Sequence, residues 1–364
     1  MLLPHMLLPP VLFASFFACT EKNTDTAIVD NYSAPDSIGP FTAGTIKENF
    51  THSYGFNVPV QVWYPSTQTT GELHKYDDIK AGTALQSIPV DCSTEHPVVL
   101  FSHGNQGLRY QSYFLTEYLA SHGYVVVAPR HVGNSFMDYD ADRMSEVVFR
   151  RPLDIQESFD WLLEQPQFMD CIEQDAYTII GHSFGGYTTL ALLGGSLDTE
   201  ESLQFCATYP NAWLCDEIAQ FVEENGNQVV NFGDDRAKRG ISMAPAGYEA
   251  LLHALPNLTE PIVVLGGSTD DMTTMQYSVK PIYQAIASEN KWLGELANAN
   301  HYSFTNACEI VPTDTYCNPN GMPAEEAYHL INTVSTAFLG WQTTNDTRYL
   351  DHFPLEAENL TWYP

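Results

Sequence analysis

Residues 177–186 read YTIIGHSFGG. The first four are aromatic or β-branched and end at a glycine, which predicts a short buried strand over Tyr177–Ile180. Helix-forming text starts at Phe184 and runs to about Leu193, so strand and helix are separated by only a tight turn. Gly181, Ser183 and Gly185 frame that turn as G-x-S-x-G. A turn this short forces its apex, Ser183, into strained φ/ψ, and only small neighbours keep the strand and the helix from colliding. The helix N-terminus also points free N–H groups at the apex.

The same rhythm extends outward. Strands are expected at Val58–Tyr64, Val98–Ser102, Tyr124–Ala128, Tyr177–Ile180, Gly240–Met243, Ile262–Leu265 and Trp292–Leu296, with an earlier strand after Phe41. Helices are expected near Gln111–Ser121, Arg150–Glu164, Phe184–Leu193, Met275–Ala287 and Pro323–Leu339. These strands lack period-2 alternation and are separated by helices, the pattern of a parallel sheet covered on both faces. A polar loop is expected up to about Ser93. Residues 195–239 break the rhythm with two cysteines, Trp213 and acidic runs, and read as a cap inserted over the sheet's C-terminal edge.

A serine hydroxyl is a poor nucleophile near neutral pH and needs a base within hydrogen-bond reach. For a serine on such an elbow, an acid and then a histidine follow later in the chain. Strand Ile262–Leu265 runs into Gly266-Gly267-Ser268-Thr269-Asp270-Asp271, which offers Asp270, or Asp271 as the alternative acid. Strand Trp292–Leu296 is followed by a loop carrying His301. The expected set is therefore Ser183, Asp270 and His301. The oxyanion of an acyl-transfer intermediate needs two N–H donors, expected from Phe184 and from Asn105 in the loop His103–Gly107. Of the other histidines, His182 reads as packing, His103 as a shaper of the Asn105 loop, and His122 and His131 as structural or surface residues. No Gly-rich phosphate loop occurs, and no metal or organic cofactor is called for.

Forty-five acidic side chains against fifteen Lys and Arg give a formal charge of -30, so a polyanion such as nucleic acid finds no basic stripe. An anionic membrane surface is repelled for the same reason. Charged residues make up only 16%, so the imbalance comes as much from missing bases as from surplus acid. Residues 1–18 (MLLPHMLLPPVLFASFFA) read as a signal peptide, whose apolar run Val11–Ala18 is too short to span a bilayer. Phe16-Phe17-Ala18-Cys19 resembles a bacterial lipobox, with Cys19 as the lipidated residue, and residues 19–40 read as a flexible tether. The only membrane association expected is through that anchor. Six further cysteines, Cys92, Cys171, Cys206, Cys215, Cys308 and Cys317, are an even number in an exported chain and point to disulfides. Cys206–Cys215 and Cys308–Cys317 are the near pairs, and each ~10-residue loop closed in this way contributes roughly 2.7 kcal/mol in the chain-entropy model.

Taken with VPVQVWYP (58–65), FSHG (101–104), HGYVVVAP (122–129), RPLDI (151–155), MAP (243–245) and HYSFT (301–305), the elbow resembles the α/β-hydrolase superfamily. The chain is most similar to the branch of predicted dienelactone hydrolases related to platelet-activating factor acetylhydrolase. That resemblance implies a mostly parallel eight-stranded sheet flanked by helices over residues 41–364. It also implies hydrolysis of short-chain or otherwise accessible carboxylic esters through an acyl-enzyme. The substrate is then a small-molecule or lipid-like ester, and the location is the bacterial cell envelope or outside the cell. A phospholipase, a polyester hydrolase, and an inactive binding protein on the same scaffold are the alternatives. Dienelactone hydrolases proper use a cysteine nucleophile where Ser183 stands, so their reaction is not implied. In acetylhydrolase-like members the acid can follow the sixth strand, but GISMAPAGY (240–248) contains none, which throws that role onto Asp270.

Overall fold

Alternate residues of the apolar runs face opposite sides of one sheet, and both sides are covered. Val98, Leu100, Val125, Val127, Tyr177 and Ile179 belong to one hydrophobic core; Val99, Phe101, Val126, Ala128 and Ile180 belong to the other. This is why the runs show no apolar–polar alternation. The computed structural model describes residues 32–247, 250–313 and 316–364. The signal-type segment, Cys19 and most of the tether lie outside the described residues.

In chain order the strands are β1 (Thr42–Thr51), β2 (Asn57–Ser66), β3 (Leu73–Tyr76), β4 (Lys80–Gln86), β5 (His96–Ser102), β6 (Val125–Pro129), β7 (Ile172–His182), β8 (Ser196–Asp198), β9 (Val229–Asn231), β10 (Ala237–Met243), β11 (Ile262–Gly267), β12 (Lys291–Leu296) and β13 (Leu360–Tyr363). All but β8 and β9 form a single sheet of order β13-β12-β11-β10-β7-β5-β6-β2-β1-β4-β3. The six strands from β12 to β6 are parallel. β2 and β13 join antiparallel to either side of that block. The sheet is therefore mixed and eleven-stranded among the described residues, not the mostly parallel eight-stranded one expected, though its parallel centre is compatible with an α/β-hydrolase. Helices α1 (Tyr113–Ser121) and α8 (Ala324–Thr344) cover one face. Helices α2 (Met144–Leu163), α3 (Phe184–Leu192) and α6 (Lys280–Ala285) cover the other. A short helix, α7 (Ala307–Ile310), follows the His301 loop.

Three expectations are corrected. The polar loop before Ser93 contains β3 and β4 at the sheet's edge. In β3 only His74 and Tyr76 are buried, and Tyr76 is tied down by bonds from Trp63 Nε1 (2.6 Å) and to Glu117 Oε1 (2.6 Å). The tether ends before residue 40, because Tyr118 Oη donates to the carbonyls of Pro35 and Ser37 at 2.8 and 2.7 Å and Gly39 N–H donates to Ser121 Oγ at 3.1 Å. The insert ends before Arg239, since β10 has begun at Ala237. It consists of β8, α4 (Thr199–Thr208), α5 (Cys215–Asn225) and β9. Three disulfides are present: Cys92–Cys171, Cys206–Cys215 and Cys308–Cys317.

Candidate active site

β5, β7, β11 and β12 point the same way, so the loops that follow them gather at one end of the sheet. Such a crevice beyond the strands' carboxyl ends is where open α/β sheets place ligands. The loops carry Asn105, Ser183, Asp270 and His301 respectively.

Ser183 joins β7 to α3 with φ 58° and ψ -116°, a left-handed conformation costly for any residue with a Cβ. The elbow is held by Ser183 N–H donating to the Met243 carbonyl at 2.9 Å. A side chain on Gly181 would run into Gly185, one on Gly185 into the Ser102 carbonyl, and one on Gly186 into Pro245. All three glycines are therefore required by close backbone approach, as the G-x-S-x-G reading expects.

Asp270 and His301 come together. His301 Nδ1 donates to Asp270 Oδ2 at 2.8 Å, and both side chains are buried. Asp270 Oδ1 accepts from the N–H groups of Met272 and Thr273, both at 2.8 Å. The Thr273 hydroxyl stands 2.8 Å from Oδ2. Burial alone would raise this carboxyl's pKa. The hydrogen bond and charge of His301, with the Thr273 bonds, outweigh it and hold Asp270 below the usual carboxylate range. An ionised Asp270 keeps the proton on Nδ1 and leaves Nε2 as the acceptor. The alternative acid, Asp271, is exposed, and the carboxylate bonded to His301 is that of its neighbour.

His182 occupies both ring nitrogens: Nε2 donates to the His301 carbonyl at 2.9 Å, and Nδ1 accepts from Gln111 Nε2 at 3.0 Å. Gln111 Oε1 in turn accepts from Gly104 N–H at 3.1 Å. Burial, then the nearby His301, pushes the His182 pKa down to about 3, so its ring is neutral. His103 receives the His131 N–H on Nε2 at 3.0 Å and so donates from Nδ1 to the Gly104 carbonyl at 2.8 Å. It shapes the Asn105 loop from inside. In that loop the N–H groups of Gly104, Gln106 and Gly107 all have acceptors, whereas those of Asn105 and Phe184 have none among the described residues.

A second Ser–His–Asp array lies beneath. Ser102 Oγ donates to His131 Nε2 (2.9 Å), and His131 Nδ1 donates to Asp154 Oδ2 (2.7 Å). All three are fully buried, so no substrate reaches them. Their partner is Arg151, also fully buried. Its guanidinium donates to Ser102 Oγ (3.1 Å), Asn134 Oδ1 (2.6 Å), Thr188 Oγ1 (3.1 Å) and the His103 carbonyl. Asn134 Nδ2 passes the contact to Asn105 Oδ1 at 2.6 Å. The RPLDI motif thus holds the Asn105 loop, a role that spacing alone does not reveal. Thr273 and Gln111 likewise carry no sequence signal beyond proximity to Asp270 and to the loop.

Ser183, Asn105 and His301 open onto a cleft of about 780 Å³. Thr208–Trp213 of the insert line it, together with Met272 and Tyr277. Among the described residues no cluster of His, Cys, Asp and Glu could hold a metal ion.

Residues 70–209 match the family model described as Chlorophyllase, a family of the α/β-hydrolase and dienelactone-hydrolase-like superfamily. The matched stretch, less than half of the chain, holds the Asn105 loop and the Ser183 elbow and stops short of Asp270 and His301. No curated protein matches the chain. The match supports a carboxylic ester hydrolase of the α/β-hydrolase type.

Proposed function

We propose that the protein is an exported serine ester hydrolase that works through an acyl-enzyme on Ser183. The observation that carries this reading is the His301–Asp270 bond of 2.8 Å beside a cleft that Ser183 and His301 both line. His301 Nε2 takes the Ser183 hydroxyl proton as Oγ attacks the ester carbonyl, and Asp270 stabilises the imidazolium that forms. The N–H groups of Asn105 and Phe184 receive the developing oxyanion. The proton then passes from His301 to the departing alkoxide, leaving the acyl group on Ser183. Water, deprotonated by His301, repeats the cycle and releases the carboxylic acid.

Three disulfides suit an oxidising compartment, and no helix among the described residues is long and apolar enough to cross a membrane. The disulfides support export. Among the described residues no Lys or Arg lines the cleft, so a phosphate headgroup would find no cationic partner there, which weighs against the phospholipase alternative. The test is Ser183→Ala. It should abolish ester turnover and fluorophosphonate labelling while thermal unfolding is retained. Full turnover in that variant would overturn the reading.

A further inference from the structure

The cleft's composition departs from that of the chain. None of the described residues lining it is Asp, Glu, Lys or Arg, although the chain carries sixty such residues. Its walls instead bear large apolar groups left in water: Tyr209 is 58% exposed, Trp213 39%, Met272 59% and Tyr277 67%. Exposed apolar surface gathered in one place marks a binding site rather than a solvated face. The volume, about 780 Å³, far exceeds what an acetyl or butyryl ester fills.

One wall has an unusual construction. Thr208, Tyr209, Pro210, Asn211, Ala212 and Trp213 all line the cleft, and all lie inside the loop closed by Cys206–Cys215. Within that loop only Leu214 is buried; Ala212 is half-buried and the rest are exposed. The loop has little core of its own, and its ends are fixed by two buried cysteines. Beyond it, α5 is anchored on α2, with Phe221 stacked on Phe149. Trp213 reaches the reaction centre: its ring meets that of Phe184 edge-on at 4.7 Å, and Phe184 directly follows the nucleophile. The turn after Asp270 and the single helical turn Met275–Val279 that follows it add Met272 and Tyr277 to the lining.

We infer that the Cys206–Cys215 loop is the substrate-selecting wall of this enzyme, and that it selects neutral esters bearing a bulky aromatic group, held against Tyr209 and Trp213 from the loop and Met272 and Tyr277 from those turns. The inference rests on the serine hydrolase reading of the same cleft. Aromatic rings and a thioether offer dispersion and edge-to-face contacts to a flat ring. The uncharged walls give an ionised acyl chain nothing to pair with. The disulfide keeps the exposed loop ordered before substrate arrives, so less ordering entropy is lost on binding.

The test compares ethyl 2-naphthoate with ethyl acetate, and adds 2-(2-naphthyl)ethyl acetate, an unactivated alkyl ester, for the alcohol side, by proton release. The wild-type enzyme should prefer at least one naphthyl ester to ethyl acetate in kcat/KM. Cys206→Ser/Cys215→Ser should lower the naphthyl-to-ethyl acetate ratio about tenfold, mainly through KM. Trp213→Ala should lower the same ratio about fivefold or more, which keeps the test decisive if the double variant fails to fold. Labelling of Ser183 by a fluorophosphonate verifies the elbow in each variant. Wild-type turnover of all three esters without a naphthyl preference, or an unchanged ratio in a folded variant, overturns the inference and leaves the serine mechanism standing. Turnover that survives Ser183→Ala overturns the mechanism instead.

Discussion

His182 Nε2 lies 2.9 Å from the carbonyl oxygen of His301, so the residue before the elbow serine holds the backbone of the proposed base. Because His182 Nδ1 accepts from Gln111, whose Oε1 accepts from Gly104 N–H, three separate loops are joined by one neutral relay. The relay runs from the Asn105 loop through the elbow to the His301 loop. Catalytic groups on different loops are useful only if they are held in register, and small misplacements cost rate steeply.

His182→Phe keeps a flat ring and deletes both hydrogen bonds. We expect kcat to fall about tenfold to a hundredfold with KM little changed. His182→Gln, which can both donate and accept, should recover part of the loss, and Gln111→Leu should reproduce it. Equal rates in the Phe and Gln variants would show that the ring only packs.

The two adjacent carboxylates separate cleanly by partner. Asp270 bonds His301 at 2.8 Å and is buried, whereas Asp271 is exposed. Asp270→Asn should lower kcat by about 10⁴-fold, because the amide no longer fixes the Nδ1–H tautomer. Asp271→Asn should change kcat less than about threefold. Steady-state kinetics on one soluble ester decides between them, and the reverse order would move the acid to Asp271.

Much of this was legible in the sequence, for definite reasons. The buried stretches of the parallel strands are apolar on both faces, so β5, β6, β7 and β11 announce themselves, and β10 and β12 do so through their apolar halves. The elbow is legible because Gly181 and Gly185 are demanded by backbone contacts. β3 and β4 were not, because edge strands with exposed polar residues look like loop; His74 and Tyr76 alone face inward in β3. The holding residues were hidden for another reason. Gln111 reaches His182 71 positions away, Arg151 reaches Thr188 37 away and Thr273 reaches Ala244 29 away, and no local pattern encodes such partners. The match to the Chlorophyllase model ends at residue 209 and so adds nothing on the acid or the base.

Arg151 is a buried cation, and its guanidinium holds Ser102, Asn134, Thr188 and the His103 carbonyl together. Removing one partner of such a network leaves neutral buried polar groups unpaired, at a cost of about 1–3 kcal/mol each. Arg151→Met should destabilise by that order in urea denaturation. Arg151→Lys keeps the charge and loses the fork, so it should remain better folded yet lower kcat, because Asn134 no longer steadies Asn105. A Lys variant with wild-type kcat would remove Arg151 from the positioning of that loop.

Acid sensitivity follows from three buried histidines. Burial, with His131 and Arg151 nearby, holds His103 well below its usual pKa. Burial and Arg151 push His131 down to about 3, and burial and His301 push His182 down to about 3. Each is neutral in the folded protein over a range where the unfolded chain, with a histidine pKa near ~6.5, takes up a proton. The unfolded state therefore binds more protons below about pH 6.5, and stability falls as pH falls toward about 3, by up to ~1.4 kcal/mol per pH unit for each group. Together the three should lower the unfolding free energy by about 4 kcal/mol between pH 7.5 and 5.5, and His122, which burial pushes down to about 4, adds a share of about 1.4 kcal/mol. Urea midpoints measured across that interval check the sum. His182→Phe removes one titrating group and should reduce the loss by about 1.4 kcal/mol. A pH dependence that is identical in the variant would show that His182 titrates alike in the folded and unfolded protein.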